Sequence, residues 1–174
     1  MKLYLVPVPI GNLRDITLRA IDTLRKIDFI ITEDTRYSLK LLTHLEIKKK
    51  LISYYRPHES RKADAIIDML RTRDAALITD SGTPLISDPG YILIEKAIEN
   101  GIEIIPLPGP TAFIPALVAS GINPKSFVFM GFPPRRAIYF IASYQSCTNV
   151  ETKYRTSMVP SKVFISFMCF QSLP

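Results

Sequence analysis

Short apolar runs alternate along this chain with longer stretches of helical period, and that alternation sets the strongest limit on its fold. The runs "LYLVPV" (3–8), "FIIT" (29–32), "LISYY" (51–55), "AALIT" (75–79) and "IEIIPL" (102–107) have strand length and are rich in β-branched or aromatic residues. Between the first two, Ile16, Ala20, Leu24 and Ile27 recur on one helical face; Leu39, Leu42 and Leu45, then Ala63, Ile66, Ile67 and Leu70, repeat the pattern. A fourth helical stretch begins at Tyr91 and stops at Gly101. Strands joined through helices cannot be hairpins, so successive strands run parallel through right-handed crossovers. The expected fold is α/β: a Rossmann-like, five-stranded, mainly parallel sheet with crossover helices over residues 1–122. A second α/β domain, incomplete, is expected over residues 123–174. Local signals predict Asp15 as N-cap of a helix over 15–27 and Ser60 as cap of the third helix. Asp88 followed by Pro89 predicts the start of the fourth.

In doubly wound sheets ligands bind outside the carboxyl ends of the strands. The segments at those ends are "PIGN" (9–12), "EDTR" (33–36), "DSGTP" (80–84) and "PLPGP" (106–110), so the polar and glycine-bearing pieces gather on one edge. No G-x-x-x-x-G-K-[ST] phosphate loop, G-x-G-x-x-G after strand one, or G-x-S-x-G elbow occurs, which removes the usual support for nucleotide hydrolysis, nicotinamide binding and a serine hydrolase. Backbone turns, small residues and a few carboxylates remain, a set suited to an uncharged or cationic ligand. "EDTR" also has a plain structural reading, in which Asp34 or Thr35 caps the next helix and Arg36 pairs with a neighbouring acid. His58 in "YRPHES" likewise reads as a loop histidine before it reads as a base.

The formal charge of +6 is concentrated: residues 36–62 hold eight basic side chains against two acidic ones, a local excess of +6. Such a segment suits contact with nucleic-acid phosphate, and equally a solvated face that keeps the protein soluble. Both cysteines, Cys147 and Cys169, lack metal-ligand spacing and only His44 and His58 stand elsewhere, so no metal site is expected. No apolar run approaches the roughly 18 residues of a membrane span. The opening "MKLYLVPVPIGN" does not read as a signal peptide, and a cytoplasmic protein is expected. After Pro134 the character shifts: residues 137–174 hold both cysteines and no glycine.

Taken together and in order, "LYLVPVPIGNLRDITLRAI", "EDTR", "DSGTPLISDPGY" and "PLPGPTA" closely resemble the tetrapyrrole methylase superfamily, and within it the branch that methylates small-subunit ribosomal RNA. The resemblance covers residues 3 to about 134. The corrin-making branch typically has a glycine-rich first loop and an S-G-D-P motif, whose places are taken here by "PIGN" and "SGTP". The resemblance implies methyl transfer from S-adenosylmethionine to the ribose 2′-hydroxyl of a cytidine in 16S rRNA. It further implies two α/β domains with the cofactor in the cleft between them, and a homodimer. On that basis Pro9, Gly11, Asp80, Gly82, Thr83, Pro84, Ile86, Thr111 and Ala112 are the expected cofactor-binding residues. Asp80 would face the ligand's cationic end, and "SDPG" would mainly begin a helix. Glu33, Asp34 and His58 are candidates for removing the hydroxyl proton, with Arg36 positioning phosphate. RNA contact is expected along Arg36–Lys62, with Tyr54 and Tyr55 available for stacking, or else around Arg135 and Arg136. The sequence departs from the family at Tyr37 and Ser38, where His and Thr are commoner, and over residues 135–174. Two competing readings are a truncated RNA-binding pseudoenzyme without activity and a relative of the corrin methylases.

Overall fold

A computed structural model describes residues 1–55, 59–121, 124, 125, 127, 129 and 131. The chain divides into two compact units, Met1–Ala112 and Phe113–Pro174. The expected boundary at 122, most of the expected second domain, Arg135, Arg136 and both cysteines lie outside the described residues.

The first unit holds strands β1 (Lys2–Leu5), β2 (Phe29–Thr32), β3 (Lys50–Ser53), β4 (Ala75–Ile78) and β5 (Glu103–Pro106). They form one sheet in the order β3-β2-β4-β1-β5, with every pair parallel, as the alternating pattern predicts. Helices α1 (Leu18–Lys26), α2 (Thr35–His44), α3 (Glu59–Leu70) and α4 (Tyr91–Glu99) supply the crossovers. Helix α5 (Phe113–Ala119) opens the second unit, where Phe113 stacks on Phe129 with ring centroids 4.8 Å apart.

Pleating sends alternate side chains to opposite faces, and the core divides accordingly. Leu3, Phe29, Ile31, Ala75 and Leu77 pack with Ala63, Ile66 and Leu70 of α3 and with Leu93 and Ala97 of α4. Ile30, Ala76 and Ile78 pack on the other face with Ala20 and Leu24 of α1 and Leu42 of α2. Fully burying each such Leu or Ile contributes about 1.5–3 kcal/mol, which fixes the register, since a one-residue slip would expose every inward side chain. Central β2 and β4 are buried throughout, whereas the edge strands carry Lys50 in β3 and Pro106 in β5. A charge and a residue without an N–H are what edges tolerate.

Strand β2 leads through α2 outward to β3, on one face, while its neighbour β4 leads through α4 the other way to β5, on the opposite face. The chain therefore diverges between the carboxyl ends of β2 and β4, and a crevice opens there.

Three helix starts differ from the local signals. A short 3₁₀ turn, Leu13–Asp15, absorbs Asp15, so Thr17 caps α1 instead, its side chain accepting from the Ala20 N–H at 3.1 Å. Helix α3 already includes Glu59 and Ser60, so Ser60 is not its cap. Helix α4 begins only at Tyr91, with Gly90 as N-cap at φ +134° and no side-chain cap, leaving Asp88 and Pro89 inside the preceding turn. Close packing explains the glycine: a Cβ on Gly90 would lie 2.8 Å from Leu85 Cδ2 and 3.1 Å from Leu77 Cδ2.

The C-terminal stop at Gly101 holds, with the Gly101 N–H donating to Ile98 O and Ile102 N–H to Ala97 O. Helix α2 ends in the same way, except that Glu46 occupies the left-handed position at φ +56°. That conformation costs a residue with a Cβ about 1 kcal/mol. Glu46→Gly is accordingly expected to stabilise the fold by about 0.5–1 kcal/mol in urea unfolding, and a destabilised variant would contradict this account.

Candidate functional site

The loops that follow β1, β4 and β5 are tied to one another by hydrogen bonds. Val8 and Gly82 form an antiparallel bridge, with Val8 N–H to Gly82 O at 2.9 Å and Gly82 N–H to Val8 O at 3.1 Å. The Thr83 hydroxyl donates to Pro110 O at 3.0 Å, joining the fourth loop to the fifth. Gly82 sits at φ +84°, where a Cβ would meet Ile10 Cγ2 at 3.4 Å and Pro110 O at 3.7 Å. Gly109 backs onto Pro7, so closely that an added Cβ would fall 2.4 Å from the Pro7 Cβ. Pro9, Gly11, Gly82, Thr83, Thr111 and Ala112 are thereby gathered along one edge of the sheet. Gly11 faces open space, Pro84 is buried at the crevice and Ile86 is exposed. Leu85 and Ser87 adopt φ +72° and +71°, a strained path for residues with side chains. Leu85 is held in it by packing against the core that includes Leu77.

The carboxylates lie at the crevice. Asp34 caps α2, accepting from the Arg36 N–H at 2.8 Å, and it pairs with the Arg36 guanidinium at 2.7 Å. These hydrogen bonds hold the Asp34 carboxyl down at about 2 and raise Arg36 above its ordinary value. Across the crevice the Asp34 N–H reaches Asp80 Oδ1 at 3.3 Å. Asp80 is exposed as a residue, yet partial desolvation of its carboxyl, with the Asp34 charge nearby, raises it from its ordinary value. The two acids are thus driven apart in pKa by their surroundings. Glu33, Tyr54, Thr79, Pro84 and Asp88 line a small recess beside them. His58 lies outside the described residues.

Buried hydroxyls brace the turn from below. Thr32, at the end of β2, hydrogen-bonds Ser38 in α2, and the Ser38 hydroxyl also reaches Asp34 O at 3.2 Å. Both are almost fully buried. The sequence reading missed this pair, although a Thr closing an apolar strand and a Ser on the stripe that includes Leu42 were its visible signals. Tyr54 is also corrected: it is 1% exposed, part of the core and inaccessible for stacking on a base. Tyr55 is at the surface with Lys62 Nζ 4.5 Å from its ring centroid, and Lys62 also donates to Ser53 O at 2.8 Å. Lys48 and Lys50 are exposed along the β3 edge.

A doubly wound parallel sheet whose carboxyl-end loops present small residues and carboxylates defines a Rossmann-like α/β domain. Residues 2–136 match the tetrapyrrole (corrin/porphyrin) methylases, and the chain belongs to that family. It is 52% identical over 139 residues to a ribosomal RNA small subunit methyltransferase I of Hydrogenobaculum, covering 79% of this chain and 60% of the relative. Proteins of the same name from Halalkalibacterium halodurans and Vibrio cholerae are 50% and 48% identical, over 77% and 78% of this chain and 47% of each relative. The chain thus spans about half the length of the curated relatives it matches. A crystal structure of a conserved hypothetical protein from Aeropyrum pernix K1 shares the fold, with a TM-score of 0.61 at 19% identity over 74% of this chain and 45% of that one. No helix among the described residues is long and apolar enough to cross a membrane.

Proposed function

We propose that this chain serves S-adenosylmethionine-dependent methylation of the ribose 2′-hydroxyl of a cytidine in 16S rRNA, as part of a cytoplasmic homodimeric enzyme. The observation that carries the reading is the three-loop junction, in which Val8, Gly82, Thr83 and Pro110 lock small residues beside the Asp34–Asp80 pair. The chemistry of these groups fits the cofactor: it has no phosphate to cradle, and its positive charges favour a carboxylate such as Asp80. When bound, it supplies a methyl carbon already activated by a sulfonium.

The protein's own part is to hold the hydroxyl oxygen in line and to accept its proton. Asp34, held at about 2 by Arg36, is a poor proton acceptor and is better matched to fixing the α2 turn. Asp80, shifted the other way, is nearer to what a base requires, and Glu33 stands at the adjacent recess. Tritium transfer from labelled cofactor to small ribosomal subunits tests the proposal. Label at a cytidine ribose is expected, and absence of both transfer and calorimetric cofactor binding would overturn it.

The exposed Lys48 and Lys50, with the half-buried Lys49, offer phosphate contacts along the β3 edge. RNA affinity should then fall with salt, with log K dropping by about 0.7 per contact per decade for single strands. Replacing all three lysines by Ser is expected to flatten that slope without unfolding the domain. An unchanged slope would make them only a solubilising edge.

A further inference from the structure

We propose that Tyr37, flanked by Lys40 and Arg36, is a stacking site for an RNA base at the mouth of the β2–β4 crevice; the inference rests on the RNA-methylating reading above. Tyr37 lies in the first turn of α2, three residues beyond Asp34, whose N–H touches Asp80. It is therefore within about one helical turn, ~5.4 Å of rise, of Asp34. Its side chain belongs to neither core cluster, and the residue is 58% exposed, a large aromatic surface left in water. Lys40, one turn further along the helix, places Nζ 5.5 Å from the ring centroid.

Arg36 completes the arrangement. Its bonds to Asp34 use Nε and Nη2, which anchor the guanidinium while Nη1 bonds nothing among the described residues. The Tyr37 ring, with the Lys40 ammonium near it and the Arg36 guanidinium anchored on Asp34 at the neighbouring position, offers a surface for a base and two cations for phosphates. The charge of the surrounding segment, eight basic residues against two acidic ones over 36–62, favours a polyanion over an acid-poor protein partner. Tyr91 makes the contrast: it is 71% exposed, but it starts α4 on the opposite face of the sheet and has no cation over its ring among the described residues.

The chain contains no tryptophan, so Tyr37→Trp introduces a single tryptophan at this position, which can be excited selectively over the remaining tyrosines. Short oligocytidylate is expected to quench Y37W and to leave a Y91W control unchanged. Tyr37→Ala should weaken binding of labelled oligocytidylate, read by fluorescence anisotropy, about tenfold, as loss of one base–aromatic stack implies, whereas Tyr37→Phe should retain it. If the unmodified chain binds oligocytidylate while Y37W is not quenched and Y37A binds equally well, the stacking site is wrong and the RNA reading survives. Quenching by S-adenosylmethionine alone would assign the ring to the cofactor's adenine and overturn the proposal. No binding by the unmodified chain would remove the RNA reading and this inference together.

Discussion

Gly109→Ala is expected to destabilise the first unit by about 3 kcal/mol, the upper part of the usual range for overpacking. The new methyl would lie 2.4 Å from Pro7 Cβ and 2.8 Å from Pro7 Cγ. A proline ring has no rotamer by which to withdraw, so the backbone of the fifth loop must move. That loop carries the Pro110 carbonyl that receives the Thr83 hydroxyl, and the strain therefore passes directly into the candidate site. Urea unfolding measures the cost and calorimetry with the methyl donor measures the displacement. A variant with wild-type stability would show that the loop yields freely and that its tie to the fourth loop is dispensable.

Gly82→Arg is expected to abolish most methyl-donor binding, by about a hundredfold or ~2.7 kcal/mol. Two effects combine at this position. The left-handed backbone at φ +84° costs any residue with a Cβ about 1–2 kcal/mol. Beyond that, the first side-chain atom meets Ile10 and Pro110, and a long cationic group would be forced into a junction expected to hold a cationic ligand. Gly82→Ala carries the backbone strain with only ordinary contacts and should bind far better than Gly82→Arg. Normal cofactor affinity in a folded Gly82→Arg protein, as judged by circular dichroism, would disprove the assignment of this junction.

The sheet was legible because its signals are repetitive. Four buried residues in "FIIT" and in "AALI", with helical stripes between them, permit few arrangements other than parallel crossovers. Strand order was not legible, because β1 chooses β4 and β5 as neighbours through packing between distant segments. Helix starts failed where a turn followed its own geometry: Asp88–Pro89 has the local chemistry of a helix start, but the need for Gly90 against Leu85 and Leu77 delays α4 to Tyr91. In the candidate site, "EDTR" gave the helix cap and the ion pair by short-range spacing alone. The contacts Asp34–Asp80, Val8–Gly82 and Thr83–Pro110 join separate loops, and no local pattern announces them. Tyr54 misled for a related reason: two adjacent tyrosines after a strand point to different sides, and only one of them faces water.

The placement of β1 next to β4 and β5 also governs the order in which this polypeptide can acquire structure during synthesis. Strand β1 is made before the four strands that follow it, yet its partners are Ala75–Leu77 and Glu103–Pro106, and the Lys2 N–H is received by Asp74. Strands β2 and β3, separated by a single helix, can pair much earlier. The nascent chain therefore carries β1 as an unpaired apolar strand while the intervening helices are made. Such non-local pairing slows folding and prolongs exposure to aggregation. Prolines at positions 7 and 9 stand directly behind that strand and limit its extension into a longer sticky segment while it waits.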